Sequence, residues 1–218
     1  MIVKHKEPFK AGYTPIISID EKDNGTMMDF GILKLLKDQV EINSEDKERA
    51  YLLIQGEIKL EWGNNEKIIR RESFLDENPW CLHLPAGEKV KITGLSDEAE
   101  ISVSKTYNER IFKPKLYSPE ECRTEEFGKG TAIEDTSKRV VKTIFDYSNA
   151  DYANLVVGEV INFPGKWSSY PPHYHPQPEI YFYKFYPEQG FGYSECGEEV
   201  YKVRSNDTAI ITNNATHS

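Results

Sequence analysis

The 218-residue chain has little cysteine: Cys81, Cys122 and Cys196 are odd in number and scattered, with no Cys-x-x-Cys pair. That excludes a disulfide framework and a thiolate metal site. Long apolar runs are missing too. The opening Met1-Ile2-Val3-Lys4-His5-Lys6-Glu7-Pro8 lacks a secretory stretch, and no run is long enough to span a bilayer, so a cytoplasmic protein with no membrane partner is expected. Positive charge is in deficit: 27 Lys+Arg against 36 Asp+Glu give a formal net charge of −9, a field that repels nucleic acid and anionic lipid. An acidic small molecule would need local cations, of which Lys166, Lys184, Lys202 and Arg204 are nearest in sequence to the histidines described below. Helical periodicity is scarce. Only Phe30 to Val40 has some helical flavour, and its leucines fit a strand equally well.

What the chain has is β texture. Short apolar or alternating runs are broken by Gly, Asn, Asp and Pro, the pattern of a sandwich or barrel. Tyr51 to Ile54, then Ile58, Leu60 and Trp62 before the Gly63-Asn64-Asn65 turn, Cys81 to Leu84 and Val90 to Ile92 read as strands of a first unit, residues 1–110. The charged, proline-bearing segment 111–138 reads as a connection. In the second unit, 139–218, Val140 to Phe145, Asn154 to Ile161, Glu179 to Tyr183 and Asp207 to Thr212 read as strands. A weak long-period repeat relates the two: Glu48 to Gly56 resembles Glu179 to Tyr183, and His83 to Gly87 resembles Ile211 to Asn214 before His217. The expected fold class is all-β, two related antiparallel barrels. The first is expected to be metal-free and filled by Leu53, Leu60, Trp62 and Leu84, with His83 packed or hydrogen-bonded and Glu48 a lone carboxylate.

Three of the five histidines fall near the C-terminal end. In a strand, His173 and His175 point to one side; Glu179 opens the adjoining strand and His217 follows another. Three imidazoles and one carboxylate suit a divalent Zn, Fe, Mn, Ni or Co ion. Continuing the strand from Glu179 places Tyr181 and Tyr183 inside the same barrel.

Gly165, His173, His175, Glu179 and Gly190 follow the first motif of the cupins, G-x5-H-x-H-x3,4-E-x6-G, with slightly long gaps at the glycines. Asn206 to His217 follows the second, with Thr212 in its proline place and Asn214 in its glycine place. Asparagine is the next-best residue for positive φ, so the turn survives the swap. The string Gly165-Lys166-Trp167-Ser168-Ser169-Tyr170-Pro171-Pro172-His173-Tyr174-His175, with Tyr186 to Gly192, resembles the bicupin 5-deoxy-glucuronate isomerases of myo-inositol catabolism. Those are relatives of the 4-deoxy-L-threo-5-hexosulose-uronate ketol-isomerases. The likeness is sharp over Gly165 to Phe191 and faint before Arg139. Two departures stand out. Only Pro176-Gln177-Pro178 separates His175 from Glu179, and the family continues for some tens of residues past the last ligand, which implies a second barrel incomplete at its C-terminal side.

The resemblance implies an aldose–ketose isomerase acting on a small sugar acid, 5-deoxy-D-glucuronate going to 5-dehydro-2-deoxy-D-gluconate. It implies a divalent ion, Zn or Mn ahead of Fe, on His173, His175, Glu179 and His217. Tyr181, Tyr183 and Glu188 are the expected catalytic residues, and Lys184 and Arg204 the expected carboxylate ligands. A homo-oligomer is compatible with it. An Fe(II) cupin dioxygenase and a non-catalytic sugar-binding cupin are the alternatives.

Overall fold

In the computed structural model, residues 1–21, 25–130 and 135–218 are described; residues 131–134 of the expected connection lie outside them. Among the described residues the alternating pattern becomes β-strands throughout, and the one helical element is a 3₁₀ turn at Pro119–Glu121. The chain begins with β1 (Ile2–Val3). A first unit follows: β2 (Gly12–Ile17), β3 (Asp29–Leu36), β4 (Val40–Asn43), β5 (Glu48–Trp62), β6 (Asn65–Arg71), β7 (Cys81–Leu84), β8 (Val90–Gly94), β9 (Glu98–Thr106) and β10 (Lys115–Tyr117). The second unit holds β11 (Arg123–Phe127), β12 (Arg139–Phe145), β13 (Val157–Asn162), β14 (Glu179–Phe182), β15 (Phe191–Cys196), β16 (Glu199–Arg204) and β17 (Thr208–Ile211).

The helical flavour of Phe30 to Val40 resolves as β3, paired on one side with β2 and on the other with β9 and buried on both faces. A strand covered on both faces is apolar throughout, so its leucines lose the alternation that marks a half-exposed strand. The long β5 serves two layers. Its first half pairs with β7 and β9, its second with β6 and β8. A register shift after Leu53 lets it bend, and Gly56 sits there at φ +107°, where a Cβ would lie 2.6 Å from the Glu98 carbonyl oxygen. Only glycine fits so close an approach at that φ. Leu53, Leu60, Trp62 and Leu84 are buried in the enclosed core, each contributing about 1.5–3 kcal/mol by leaving water.

The second unit is more open: β11–β12–β13, the hairpin β15–β16, and β14–β17 joined by β1. Pairing of Ile2 with Ala209 and Val3 with Thr208 places the chain's first residues on the second unit's sheet, although sequence assigned them to the first. The expected connection is likewise divided, β10 adding to β7 and β11 to β12.

Even-numbered residues of β5 (Ala50, Leu52, Ile54) face away from the first core and meet Ile144, Phe145, Ile210 and Phe182 of the second unit in a shared apolar layer. Two buried charges find partners across it, although Arg71 Nε has none. The Glu48 carboxylate accepts from His83 Nε2 (2.8 Å), Asn108 Nδ2 (2.7 Å), and the Asn154 and Leu155 amides (2.9 and 3.3 Å). Arg71 donates to both oxygens of Glu159 (2.7 Å each) and to the carbonyls of Leu53, Phe74 and Glu77. Removing one partner of such a pair leaves an uncompensated buried charge. Glu159→Ala is therefore expected to lower unfolding stability by about 3–5 kcal/mol, read from the midpoint of urea unfolding. An unchanged midpoint would mean that the carbonyls alone satisfy Arg71.

Candidate metal centre

The period of two along β14 sorts its side chains. Ile180 and Phe182 join the apolar layer against the first unit, so Glu179 and Tyr181 face the other way, into the concave side of the second unit. β17 pairs antiparallel with β14, Ile211 opposite Glu179. Asn213 and Asn214 then turn the chain at φ +59° and +55°, the conformation that asparagine tolerates best after glycine. The turn returns His217 to His173, and the two exchange backbone hydrogen bonds of 2.9 and 3.0 Å. The expected His-x-His strand is only this isolated bridge. Pro171, Pro172, Pro176 and Pro178 flank the pair and lack the N–H groups a longer ladder needs.

One nitrogen from each of His173, His175 and His217 lies within 4.8 Å of the others. Glu179 touches two of them: Oε1 is 3.2 Å from His175 Nε2 and Oε2 is 3.5 Å from His217 Nε2. Ring tautomers are fixed from behind. His175 Nδ1 bonds the Gln177 carbonyl and His217 Nδ1 the Ala215 carbonyl, both at 2.9 Å, which leaves each Nε2 as a bare lone pair. His217 Nε2 is buried and has no hydrogen-bond partner. An orphaned acceptor facing a carboxylate is costly unless a cation joins them, so the donor set fits a divalent ion with N and O preference. His173, whose Nδ1 is 3.1 Å from Ser169 Oγ, has its pKa lowered by burial, then by His217 and His175. That keeps it neutral and able to ligate.

Tyr181 donates its hydroxyl to Glu179 Oε2, and its ring centroid lies 6.2 Å from that of His217. Burial, and then the Glu179 charge, push its phenol well above the ordinary tyrosine range, so it stays a donor. Burial also raises the Tyr183 phenol. The other expected residues lie elsewhere. Lys184 has the parity of Ile180 and Phe182 and leaves the concave side; its Nζ is 2.5 Å from Glu100 Oε2 and 2.9 Å from Asn206 Oδ1. Glu188 and Arg204 line an open groove of about 620 Å³ with Lys4, Lys6 and Asp207, a groove none of the histidines lines except His5. Arg139, which sequence reading passed over, does face the concave side. Lys142 on the same strand reaches the Leu75 and Glu77 carbonyls of the first unit, so Arg139, of opposite parity, points away from it. His173 and Tyr181 lie within its electrostatic reach, and burial lowers its own pKa.

The register of the first unit corrects the sequence repeat. Asn43 pairs with Val90 as His173 pairs with His217, and Arg49 pairs with Leu84 as Glu179 pairs with Ile211. The spacings between these pairs are equal in the two units, so Asn43, Glu45, Arg49 and Val90 stand where His173, His175, Glu179 and His217 stand. Glu48, taken as the residue in a ligand's place, is one position off and faces the second unit; His83 is its hydrogen-bond partner. The Arg49 guanidinium is fully buried and donates to Asn43 Oδ1 (2.7 Å) and the Pro85 and Glu88 carbonyls (2.9 and 2.6 Å). A fixed cation there opposes metal binding.

One divalent ion per chain is therefore expected by calorimetric titration with zinc or manganese. His217→Ala should weaken it by at least about 100-fold, since even residues behind the ligands are worth 10–100-fold. Affinity should fall on acidification, because protons compete with the ion for the ligand nitrogens. Two ions per wild-type chain would contradict the reading of Arg49.

Comparison with known proteins bears on the family and the fold. The model of the KduI/IolB family matches residues 1–218. The 5-deoxy-glucuronate isomerase of Geobacillus kaustophilus is 29% identical over 178 residues, 74% of this chain and 61% of the relative. That of Bacillus licheniformis is 32% identical over 136 residues, 58% and 48% respectively. The chain thus spans about half to three fifths of these curated relatives. Among solved structures, an IolB-like protein from Salmonella typhimurium superposes with TM-score 0.85 at 22% identity, over 99% of this chain and 86% of that one. The oxalate decarboxylase of Lactobacillus farciminis superposes with TM-score 0.68 at 12% identity, over 96% and 78%. The fold is that of the cupins, and the chain belongs to the KduI/IolB family.

Proposed function

We propose that this chain carries the active centre of an aldose–ketose isomerase that converts 5-deoxy-D-glucuronate to 5-dehydro-2-deoxy-D-gluconate in inositol catabolism. The observation that carries the reading is the cluster of His173, His175, His217 and Glu179 on a polar concave face, in a family whose curated members matched here are named for that isomerisation.

The reaction moves one proton from the carbon beside the aldehyde to the aldehyde carbon, and one from the adjacent hydroxyl to the former carbonyl oxygen. Nothing else enters or leaves. A zinc or manganese ion held by the four side chains would draw electron density from the carbonyl and its neighbouring hydroxyl, and the same donors suit iron. Tyr181 is the protein's own contribution beside it. Its single hydroxyl proton points at Glu179 Oε2; once that carboxylate faces an ion, the hydroxyl can turn to a substrate oxygen and donate there as negative charge develops. Glu179 holds that phenol while facing His175 and His217. Tyr183 continues the same face of the strand and orients the sugar. A dioxygenase would be served by a dry, apolar pocket; here Arg139, Thr143 and Asn162 alternate with Val141 and Val160 on one face of the sheet, and those polar groups suit a substrate rich in hydroxyls.

Metal-loaded protein incubated with 5-deoxy-D-glucuronate is expected to form the ketose. His175→Ala should abolish turnover. Tyr181→Phe should lower kcat by about 10²–10³-fold with KM little changed, as for loss of one donor to a developing oxyanion. Sugar binding without turnover by the metal-loaded wild type would favour the non-catalytic sugar-binding alternative.

A further inference from the structure

We propose that Arg139 is the residue that receives the carboxylate of the substrate and makes the site specific for an acidic sugar. The inference rests on the isomerase reading and names its specificity residue.

A carboxylate approaching a chain of net charge −9 needs a cation inside the site, because attraction from distant surface lysines is screened within about 10 Å. Of the other cations, Lys166 is exposed on the surface and Lys202 lies over the Phe191 ring at 4.0 Å. Lys184 is paired with Glu100, Lys142 is spent on first-unit carbonyls, and Arg123 is paired with Asp146. Arg204 opens on the groove beside Lys4 and Lys6, apart from His173, His175 and His217. Arg139 has no ion-pair partner among the described residues. Its Nη1 donates to the Ser137 carbonyl at 3.1 Å, and its guanidinium lies over the Phe127 ring at 5.4 Å. These two contacts hold the planar group in one orientation and leave most of its donors free. A preoriented guanidinium with free donors is the geometry that binds a carboxylate through two parallel hydrogen bonds.

Its position relative to the histidines is fixed by backbone. Arg139 opens β12, opposite Phe127 and Asn162 in register. The Trp167 amide bonds the Thr136 carbonyl at 3.0 Å, tying the loop that leads to His173 to the segment that leads into Arg139. Metal ligands and guanidinium therefore share one concave face, with the aldehyde end of the sugar at the first and the acid end at the second. Arg139 is half-buried, which strengthens a charge-assisted contact there over one in open solvent.

The test compares 5-deoxy-D-glucuronate with its uncharged C6 carboxamide, using metal-loaded protein. Wild type should prefer the acid. Arg139→Gln should raise KM for the acid by about 10–100-fold, leave KM for the carboxamide nearly unchanged, and so erase the preference. Arg139→Lys keeps the charge without the fork and should fall between the two. Zinc affinity measured by calorimetry should be unaltered in both variants, which separates a lost carboxylate contact from a collapsed site. If the sugars bind without turnover, the same acid-to-carboxamide ratio is read in Kd. An Arg139→Gln protein that keeps the wild-type preference overturns the assignment while the isomerase reading stands. A metal-loaded wild type that neither binds nor converts either sugar removes the isomerase reading, and this assignment with it.

Discussion

The register of β14 holds the rest of the site in place. Four residues serve two masters: Ile180 and Phe182 enter the apolar layer shared with the first unit, while Glu179 and Tyr181 are turned toward the histidines. Phe182 lies between Phe9 and Phe30, with ring centroids 6.1 and 5.7 Å away. A one-residue slip would put Phe182 in the open concavity and force the Glu179 carboxylate into the apolar layer. Losing the contacts of this partly buried aromatic costs up to about 1.5–3 kcal/mol, and burying an unpaired carboxylate costs more. The first unit thus sets the register of a strand whose chemistry lies on the opposite face.

That role explains why the first unit can dispense with ligands and still be rigid. Arg49 takes the place of Glu179 and supplies a cation from within, hydrogen-bonded to the side chain and carbonyls around it. Glu48, one residue earlier, projects to the other face and gathers donors from His83, Asn108 and the 154–155 backbone. Neighbouring charges of opposite sign on opposite faces of β5 hold the inside of the first barrel and its contact with the second. Neither is left unsatisfied, so neither carries the penalty of an isolated buried charge.

Much of this was legible in the sequence because it depends on local period and spacing. Strand positions, the Gly63-Asn64 hairpin, the turn at Asn213-Asn214 and the grouping of the three histidines follow from alternation, turn chemistry and motif distance. Lys184 was legible and misread: it has the opposite parity to Glu179 and so leaves the site. The repeat was misplaced by one position because Glu48 resembles Glu179 in charge, whereas pairing register selects Arg49. Arg139 could not be found locally. Which face of β12 is concave depends on Lys142 docking against the first unit, a contact between residues far apart in the chain.

The ligands also sit where the fold alone provides least. His173 and His175 lie in a proline-flanked loop joined to His217 by a single bridge, and only Glu179 belongs to a continuous strand. Segments held by few backbone hydrogen bonds open at lower cost than core strands. An ion bound by all four would join this loop, β14 and the segment after β17 at one point. Because it would bind the assembled geometry and not the opened one, its affinity adds directly to the stability of that local structure. Cofactor binding and ordering of the sugar site are then one equilibrium, built on the strand that the first barrel holds in register.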